Sequence, residues 1–214
     1  MERGKLIVLE GLDRAGKTTQ CQLLVKALSK DGEKVQFMRF PDRSTPIGRQ
    51  INSYLTGETE QEDHVVHLLF SANRWEAVPK ILSLLDSGTT IVVDRYYYSG
   101  IVYSAAKQDP TLSLPWCRAP DVGLPRPDVC VFLDISSEAA AKRGGFGVEK
   151  YETGEVQGRV RELFLEVRGR GEEGEDFVVV DAGGEVEGVA REVERVVRER
   201  VRGVRGPVRR VGEW

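Results

Sequence analysis

Residues 5–18 read KLIVLEGLDRAGKT, an apolar run followed at once by two glycines, a lysine and a threonine. Gly11 and Gly16 can adopt backbone angles that other residues avoid, so main-chain N–H groups can turn inward around an anion. Lys17 supplies a mobile cation and Thr18 a hydroxyl that suits Mg²⁺, and a helix starting near Lys17 directs its positive end at the same anion. The pattern predicts a loop that binds a nucleoside triphosphate, in preference to a glycine-rich turn without a ligand.

Five apolar runs predict buried parallel strands, because a strand covered on both faces does not alternate in polarity. These runs are residues 6–9, 35–40, 90–93, 129–133 and 177–180. Helical patterns lie between or after them, at residues 17–29, 64–85, 99–107, 157–167 and 186–202. The alternation predicts an α/β fold of three layers, a P-loop NTPase fold in which helices flank a five-stranded parallel sheet.

Length and composition limit the possible classes of protein. A chain of 214 residues without a linker-like stretch predicts a single domain over 1–214, with a glycine-rich lid at about 142–153. We expect a C-terminal helix and a frayed tail over about 186–214. The formal net charge of −3 gives no global field for nucleic acid or for a membrane, so neither is expected as a partner.

The cysteines and the apolar stretches predict where the protein works. The three cysteines have no metal-type or disulfide-type spacing, which indicates reduced thiols inside the cell. There is no signal-type apolar core at the N-terminus, and no stretch approaches the roughly 20 apolar residues of a membrane helix. The sequence therefore predicts a soluble cytoplasmic protein, and entry into a nucleus stays open.

Polar clusters follow three of the predicted strands and should meet at one edge of the sheet. GLDRAGKT follows the first strand, PDRS the second and DRYYYSG the third. Asp94 ends its strand where a carboxylate can hold a Mg²⁺-bound water opposite the phosphate loop. Arg43 and Arg95 suggest a second anion in the same cleft, since guanidinium groups fit terminal phosphates. Phosphoryl transfer between two phosphates fits this set, and an acceptor that is already ionised needs no general base.

Two further features have both a structural and a functional interpretation. Phe70 and Arg74 lie four apart on a predicted helix, where they can be a core ring and a surface charge. Alternatively, the ring stacks on a base and the guanidinium bonds to the carbonyl edge of that base. Arg14 lies inside the phosphate loop, where it either faces solvent or stabilises charge on the transferring phosphoryl group. The residues alone leave both questions open.

Six strings in register make the sequence similar to the thymidylate kinases of eukaryotic type, which carry an arginine in the phosphate loop. The strings are GLDRAGKTTQ, RFPDRSTPIG, LLFSANRWE, DRYYYSG, PDVGLPRPD and AAKRGGFGVEKYE, and the resemblance runs from about residue 6 to residue 181. It implies transfer of the γ-phosphoryl group of ATP to dTMP, giving ADP and dTDP for dTTP synthesis and DNA replication. It also implies Mg²⁺ as cofactor, ATP and dTMP as binding partners, and a homodimer.

The resemblance assigns roles position by position. It implies that ATP is bound by Gly11, Asp13, Arg14, Ala15, Gly16, Lys17, Thr18, Thr19, Arg143 and Ala182. It implies that dTMP is bound by Asp13, Phe40, Arg43, Phe70, Arg74, Arg95, Ser99, Gly100, Tyr103, Tyr151 and Glu152. The implied catalytic residues are Arg14, Lys17, Asp94 and Arg95, with Thr18 and Asp94 at the metal. The resemblance also implies that Asp13 approaches the 3′-hydroxyl of the acceptor and that Tyr103 lies beside its sugar. It implies that Phe70 stacks on the base and that Arg74 bonds to the carbonyl edge of the base.

Two alternatives compete with this hypothesis. Another small P-loop kinase would act on a nucleoside or on a different monophosphate, and it would differ in the base pocket. A nucleotide-binding regulator, such as a GTP-dependent switch, is less favoured, because the chain has no N-K-x-D signature for guanine. Such a regulator would also leave the acceptor-side arginines without a purpose.

Overall fold

The strands form a single five-stranded parallel sheet, as the sequence predicts. The computed structural model describes residues 2–136, 139–140, 150–151, 154–171 and 173–214. Within these, the strands are β1 Leu6–Gly11, β2 Val35–Arg39, β3 Thr90–Asp94, β4 Val129–Asp134 and β5 Phe177–Asp181. Each observed end lies within two residues of the predicted one, the usual uncertainty of such boundaries. Most of the predicted lid, at 142–153, lies outside the described residues.

The order of the strands places the phosphate loop at the centre of the sheet. That order is β2-β3-β1-β4-β5, so β1 pairs with β3 on one side and with β4 on the other. In the register, Leu9 lies beside Asp94 and Gly11 lies beside Leu133. From β1 the chain crosses to β2 on one side of the sheet, and from β3 it crosses to β4 on the other side. Ligands of open α/β sheets bind at such a switch point. The loops after β1, β2 and β3 therefore end at one edge.

Nine α-helices and one 3₁₀ turn occur within the described part of the chain. The helices are α1 Lys17–Lys30, α2 Pro46–Leu55, α3 Asp63–Trp75, α4 Val78–Asp86, α5 Tyr97–Ala105, α6 Leu114–Arg118, α7 Gly154–Arg168, α8 Glu173–Asp176 and α9 Val186–Val201, with the 3₁₀ turn at Ala119–Asp121. None of these helices combines the length and the apolar character that crossing a bilayer requires.

One prediction about the helices is wrong, and the set of predicted helices is incomplete. The single helix predicted at 64–85 is divided into α3 and α4, with a break at residues 76–77. Pro79 lies in the first turn of α4, and it cannot continue α3 because proline lacks an N–H and its ring clashes with the carbonyl four residues earlier. Helix α2 was not predicted. Its start is marked in the sequence by Thr45, whose hydroxyl accepts from Gly48 N at 2.9 Å, and by Pro46 at the first helical position.

The central strands β1 and β3 are covered on both faces, which explains why they are almost continuously apolar. Strand β2 was predicted to be buried, and that prediction is wrong: β2 is an edge strand that pairs on one side only, and none of its residues is buried. Successive residues of β1 point to opposite sides, so Leu6 and Val8 belong to one apolar layer and Ile7 and Leu9 to the other. The first layer includes residues of α4, α5 and α7, and the second includes residues of α1 and α9. This double burial fixes the position of the strand that leads into the phosphate loop.

The C-terminal tail is ordered, although the sequence predicts that it frays. Residues 203–214, here called the C-terminal strap, run along the chain segment before β4. Val211 is 2% exposed and exchanges backbone hydrogen bonds with it: Gly123 N to Val211 O at 2.8 Å and Val211 N to Leu124 O at 2.9 Å. The guanidinium of Arg118 lies 4.7 Å from the ring centre of Trp214. The sequence prediction was wrong because it relied on the basic composition of the tail, whereas the order comes from backbone hydrogen bonds to residues distant in the sequence.

Candidate active site

The phosphate loop has the strained backbone that its glycines predict. Gly11 has φ 149° and Gly16 has φ 91°, and a Cβ on Gly11 would lie 2.7 Å from the carbonyl oxygen of Leu133. Arg14, also in the loop, has φ 65°, a left-handed conformation that costs a non-glycine residue about 1–2 kcal/mol. Such strain persists where the surrounding structure enforces it, typically at ligand sites.

Lys17 is folded back over this loop. Its Nζ donates to Leu12 O at 2.6 Å and to Gly11 O at 3.2 Å, and the side chain is buried. Burial, followed by the nearby cation of Arg95, lowers the pKa of Lys17 to about 8, although the carboxylate of Asp13 acts in the opposite direction. The lysine is thus a cation that a bound polyphosphate would stabilise.

Asp94 and Thr18 form a pair of oxygen ligands beside the loop. Asp94 ends β3 and is 1% exposed, and its Oδ2 accepts from Thr18 Oγ1 at 2.5 Å. Its Oδ1 is buried and has no hydrogen-bond partner within the described residues. A buried carboxylate oxygen without a partner is costly, and a hard cation such as Mg²⁺ prefers oxygen ligands. The pair therefore fits a Mg²⁺ site.

Arg95 joins the loop after β3 to the phosphate loop. Its backbone is left-handed, with φ 66°, so the side chain turns back over β1. Nη1 donates to Ser99 Oγ at 3.0 Å and to Gly11 O at 3.3 Å, and Nη2 lies 2.5 Å from Asp13 Oδ1. Of its five N–H groups, Nε–H and one on Nη2 make no hydrogen bond to any described residue, so both can bind an anion.

Asp13 receives donors from three directions. Besides Arg95, its Oδ2 accepts from Tyr103 OH at 3.1 Å and from Gln157 Nε2 at 2.7 Å. Burial by itself raises the pKa of the Asp13 carboxyl, but Arg95 and Lys17 outweigh it and hold that pKa below its usual value. Gln157 also accepts from Asp13 N at 2.9 Å, so helix α7 supports the phosphate loop. Gln157 was not among the predicted site residues.

Glu10 is a second residue that the sequence analysis missed. It is fully buried at the end of β1 and accepts from Ser99 Oγ at 2.6 Å, Tyr96 N at 2.8 Å and Ser99 N at 3.1 Å. Burial raises the pKa of Glu10, and the charge of Arg95 partly opposes that rise. The sequence does carry a signal for Glu10, because it is the one acidic residue near the end of the otherwise apolar strand β1. Glu10 caps the N-terminus of α5 and so fixes the loop that carries Arg95.

Aromatic rings and two arginines line the other end of the cleft. Phe40 packs on Tyr96 with ring centres 5.6 Å apart, and Tyr151 meets Tyr103 at 5.6 Å. Arg43 Nη1 donates to Asn52 Oδ1 at 2.9 Å, so the missed helix α2 orients it. Arg74 and Phe70 lie on the side of α3 that faces the cleft, which encloses about 490 Å³. That volume suits a small ligand.

Most of the predicted site residues meet in this cleft. They are Asp13, Arg14, Gly16, Lys17, Thr18, Thr19, Phe40, Arg43, Phe70, Arg74, Asp94, Arg95, Ser99, Gly100, Tyr103 and Tyr151. Gly11, at the end of β1, and Ala15, in the loop, are buried and do not line the cleft. Ala182 is buried after β5 and donates from its N to Asp134 O at 2.8 Å. Arg143 and Glu152 lie outside the described residues.

A phosphate loop at the switch point of a parallel sheet, with a buried lysine and a Thr–Asp pair beside it, defines a P-loop NTPase. The sequence model of the thymidylate kinase family matches residues 9–193. The chain belongs to the thymidylate kinase family.

Individual relatives agree with this assignment. The chain is 54% identical to a thymidylate kinase of Homo sapiens over 162 residues, 76% of each chain. It is 48% identical to that of Schizosaccharomyces pombe over 188 residues, 87% of this chain and 88% of the relative. It is also similar to the solved structure of thymidylate kinase from Candida albicans, with a TM-score of 0.88, 38% identity and 99% of each chain covered.

The depressed pKa of Lys17 has a measurable consequence. With a pKa of about 8, about half of the lysine is protonated at pH 8 in the free protein. A bound triphosphate raises that pKa again, so binding of ATP at pH 8 should take up about half a proton per chain. Calorimetric titration in two buffers of different ionisation enthalpy measures this uptake.

Two lysine variants serve as controls for the proton uptake. Lys17→Met, titrated at saturating ATP, should abolish the uptake, and Lys26→Met, which changes an exposed lysine, should preserve it. If ATP binds to the unmodified protein at pH 8 without proton uptake, Lys17 is not a lysine of lowered pKa that contacts the triphosphate.

Proposed function

We propose that the chain transfers the γ-phosphoryl group of ATP to dTMP, giving ADP and dTDP for dTTP synthesis and DNA replication. The observation that carries this proposal is a single cleft with two different ends, on a chain of the thymidylate kinase family. One end holds the phosphate loop, and the other holds Phe70, Arg74 and Tyr103. Two phosphates can meet between these ends, where Arg14, Lys17 and Arg95 neutralise charge.

At the donor end, main-chain N–H groups of the loop and the N-terminus of α1 hold the phosphates of ATP. Lys17 leaves its two carbonyl partners and turns to the phosphates. Arg14 stabilises the charge that spreads over the transferring group, a task that some related enzymes give to an arginine from another protein. Arg143, in the lid, and Ala182 are proposed contacts of the adenine end.

At the acceptor end, Arg43 and Arg95 bind the phosphate of dTMP through their guanidinium forks. Phe70 stacks on the base, Arg74 bonds to its carbonyl edge, and Asp13 approaches the 3′-hydroxyl. The remaining proposed contacts are Phe40, Ser99, Gly100, Tyr103, Tyr151 and Glu152. The acceptor oxygen is already ionised at neutral pH, so positioning and neutralisation of charge replace a general base.

Mg²⁺ is the proposed cofactor, held by Thr18 and, through water, by Asp94. When bound, it neutralises charge on the β- and γ-phosphates. The buried Oδ1 of Asp94, which lacks a described partner, supports this assignment. Phosphoryl transfer that continues at full rate in excess chelator would contradict it.

A homodimer is proposed because α3 carries apolar side chains on its outer face. Val65 is 45%, Leu68 47% and Trp75 38% exposed, and their spacing of three and seven residues places them in one stripe. A second copy of the chain would cover this stripe. Light scattering should give the mass of two chains, and Leu68→Glu should give that of one. A monomeric unmodified protein would exclude the dimer.

The proposed location is the cytoplasm. Cys21, Cys117 and Cys130 are buried free thiols, as a reducing compartment permits. Fractionation that places the protein in an oxidising compartment would contradict this proposal.

The acceptor assay tests the proposed reaction. We expect dTMP to exceed dGMP and thymidine in kcat/KM when each acceptor, and dUMP beside them, is supplied with Mg-ATP and ADP release is measured. The stacked ring and the arginine donor favour a base with a carbonyl edge, and the arginine pair favours a monophosphate over a nucleoside. A lead for thymidine or dGMP would indicate another P-loop kinase. Slow hydrolysis that ignores every acceptor would favour a nucleotide-binding regulator.

Replacement of Arg14 tests its catalytic role. Arg14→Ala should lower kcat by about 10³-fold, the usual effect of removing an arginine that acts on the transferring phosphoryl group, and should leave ATP affinity nearly unchanged. Arg195→Ala is the matched control, since Arg195 is an exposed arginine on α9 that does not line the cleft. Normal turnover of Arg14→Ala would remove this residue from the mechanism.

A further inference from the structure

The arginine at the acceptor end of the cleft is held by a buried carboxylate. Arg74 Nε donates to Asp121 Oδ1 at 3.0 Å and Nη2 to Asp121 Oδ2 at 2.8 Å, and the two side chains are 3% and 0% exposed. Ser71 Oγ also donates to Asp121 Oδ1, at 2.8 Å. Two parallel hydrogen bonds fix both the place and the plane of the guanidinium.

Asp121 itself lies in a restrained segment. It ends the 3₁₀ turn Ala119–Asp121, and Trp75 Nε1 donates to the neighbouring Pro120 O at 2.7 Å. The C-terminal strap pairs with the residues that follow, through the two hydrogen bonds of Val211 and through Arg126 N to Arg209 O at 2.8 Å. The strap and α3 therefore both restrain the segment that carries the carboxylate.

Gly100 restrains the same guanidinium from the other side. A Cβ on Gly100 would lie 2.7 Å from Arg74 Nη2 and 2.9 Å from Nη1, closer than side chains can approach. Arg74 can lie across α5 only because this position has no side chain. The guanidinium thus has a carboxylate at one edge and helix backbone beneath it.

These restraints decide what the arginine can present to a ligand. A guanidinium has five N–H donors and no acceptor. Asp121 takes Nε–H and one N–H of Nη2, and the other three have no hydrogen-bond partner among the described residues. Because the group cannot rotate or move aside, a base placed against it must offer an acceptor. The 4-carbonyl of thymine does so, and the 4-amino group of a cytosine does not.

We propose that Asp121 is the positioning residue that makes Arg74 reject acceptors with a 4-amino pyrimidine. Without Asp121 the long arginine side chain can turn away from an amino group, and the cost of a donor facing a donor disappears. The inference rests on the proposed function, in which the acceptor is dTMP. It adds that discrimination at position 4 of the base depends on a carboxylate that never touches the ligand.

The test compares dTMP with 5-methyl-dCMP, which keeps the methyl group and the sugar and exchanges the 4-carbonyl for an amino group. Asp121→Asn should raise KM for dTMP by about tenfold, the effect of losing about one hydrogen bond, and should change kcat much less. The preference for dTMP over 5-methyl-dCMP in kcat/KM should fall by about tenfold. KM for ATP should stay unchanged, since the donor end is not affected.

Asp128→Asn is the matched control for loss of a buried pair. Asp128 also accepts two hydrogen bonds from one guanidinium, from Arg3 Nη1 at 2.8 Å and Nη2 at 2.7 Å, but it lies before β4, at the opposite edge of the sheet. Its side chain is 3% exposed. This variant should lower thermal stability in the same way as Asp121→Asn and leave the preference between the two acceptors unchanged.

Gly100→Ala moves the same guanidinium without removing a charge. The added methyl group should displace Arg74 and lower the preference for dTMP in the same direction. Alanine favours a helix interior more than glycine by about 1 kcal/mol, which offsets part of the cost of displacing the buried guanidinium. Circular dichroism confirms the fold before the kinetics are measured.

The outcomes separate this inference from the proposed function. A folded Asp121→Asn or Gly100→Ala protein with the unmodified preference would show that Asp121 serves stability alone, and would overturn the inference. An equal loss of preference in Asp128→Asn would also overturn it. If the unmodified protein does not phosphorylate dTMP at all, the proposed function fails, and this inference fails with it.

Discussion

The site depends on one set of contacts, the hydrogen bonds and the ion pair by which Arg95 holds the phosphate loop. Arg95 reaches Gly11 O and Asp13 from a left-handed backbone position, and Glu10 caps the helix that follows Arg95. The loops after β1 and β3 therefore move as one unit. If they separated, the Thr18 hydroxyl and the Asp94 carboxylate would also part, since Thr18 directly follows the first loop and Asp94 directly precedes the second.

Several charges are buried together here, and each is tolerable only because of the others. Lys17 is buried among the carboxylates of Asp13, Asp94 and Glu10, and the like charge of Arg95 lowers its pKa further. Removing one member would leave another charge buried without a partner, which costs several kcal/mol. The proposed ligands, two nucleotides and a metal ion, would change this balance of charge instead of creating it. The cleft is in this sense organised before its ligands arrive.

The sequence predicts the parallel sheet and the phosphate loop because strand runs and the loop pattern are local signals, whereas the residues of the acceptor end come mostly from the family resemblance. It misses Gln157 and Glu10, whose partners depend on how α7 and α5 pack, and it misses Asp121, which acts through Arg74. Helix α2 was not predicted, because only Thr45 and Pro46 mark its start in the sequence. The order of the C-terminal strap was not predicted, because the backbone hydrogen bonds of Val211 do not depend on a recognisable residue pattern in a tail of arginine, valine and glycine.

The central claim is that one cleft, held together by Arg95, binds both nucleotides in line. A ligand that joins adenosine and thymidine through their 5′-oxygens by a chain of five phosphates tests this claim most directly, in a calorimetric competition with ATP and with dTMP. We expect one equivalent to bind per chain and each nucleotide alone to displace it. Displacement by ATP but not by dTMP, or binding of two equivalents, would show that the sites are separate and would contradict the claim.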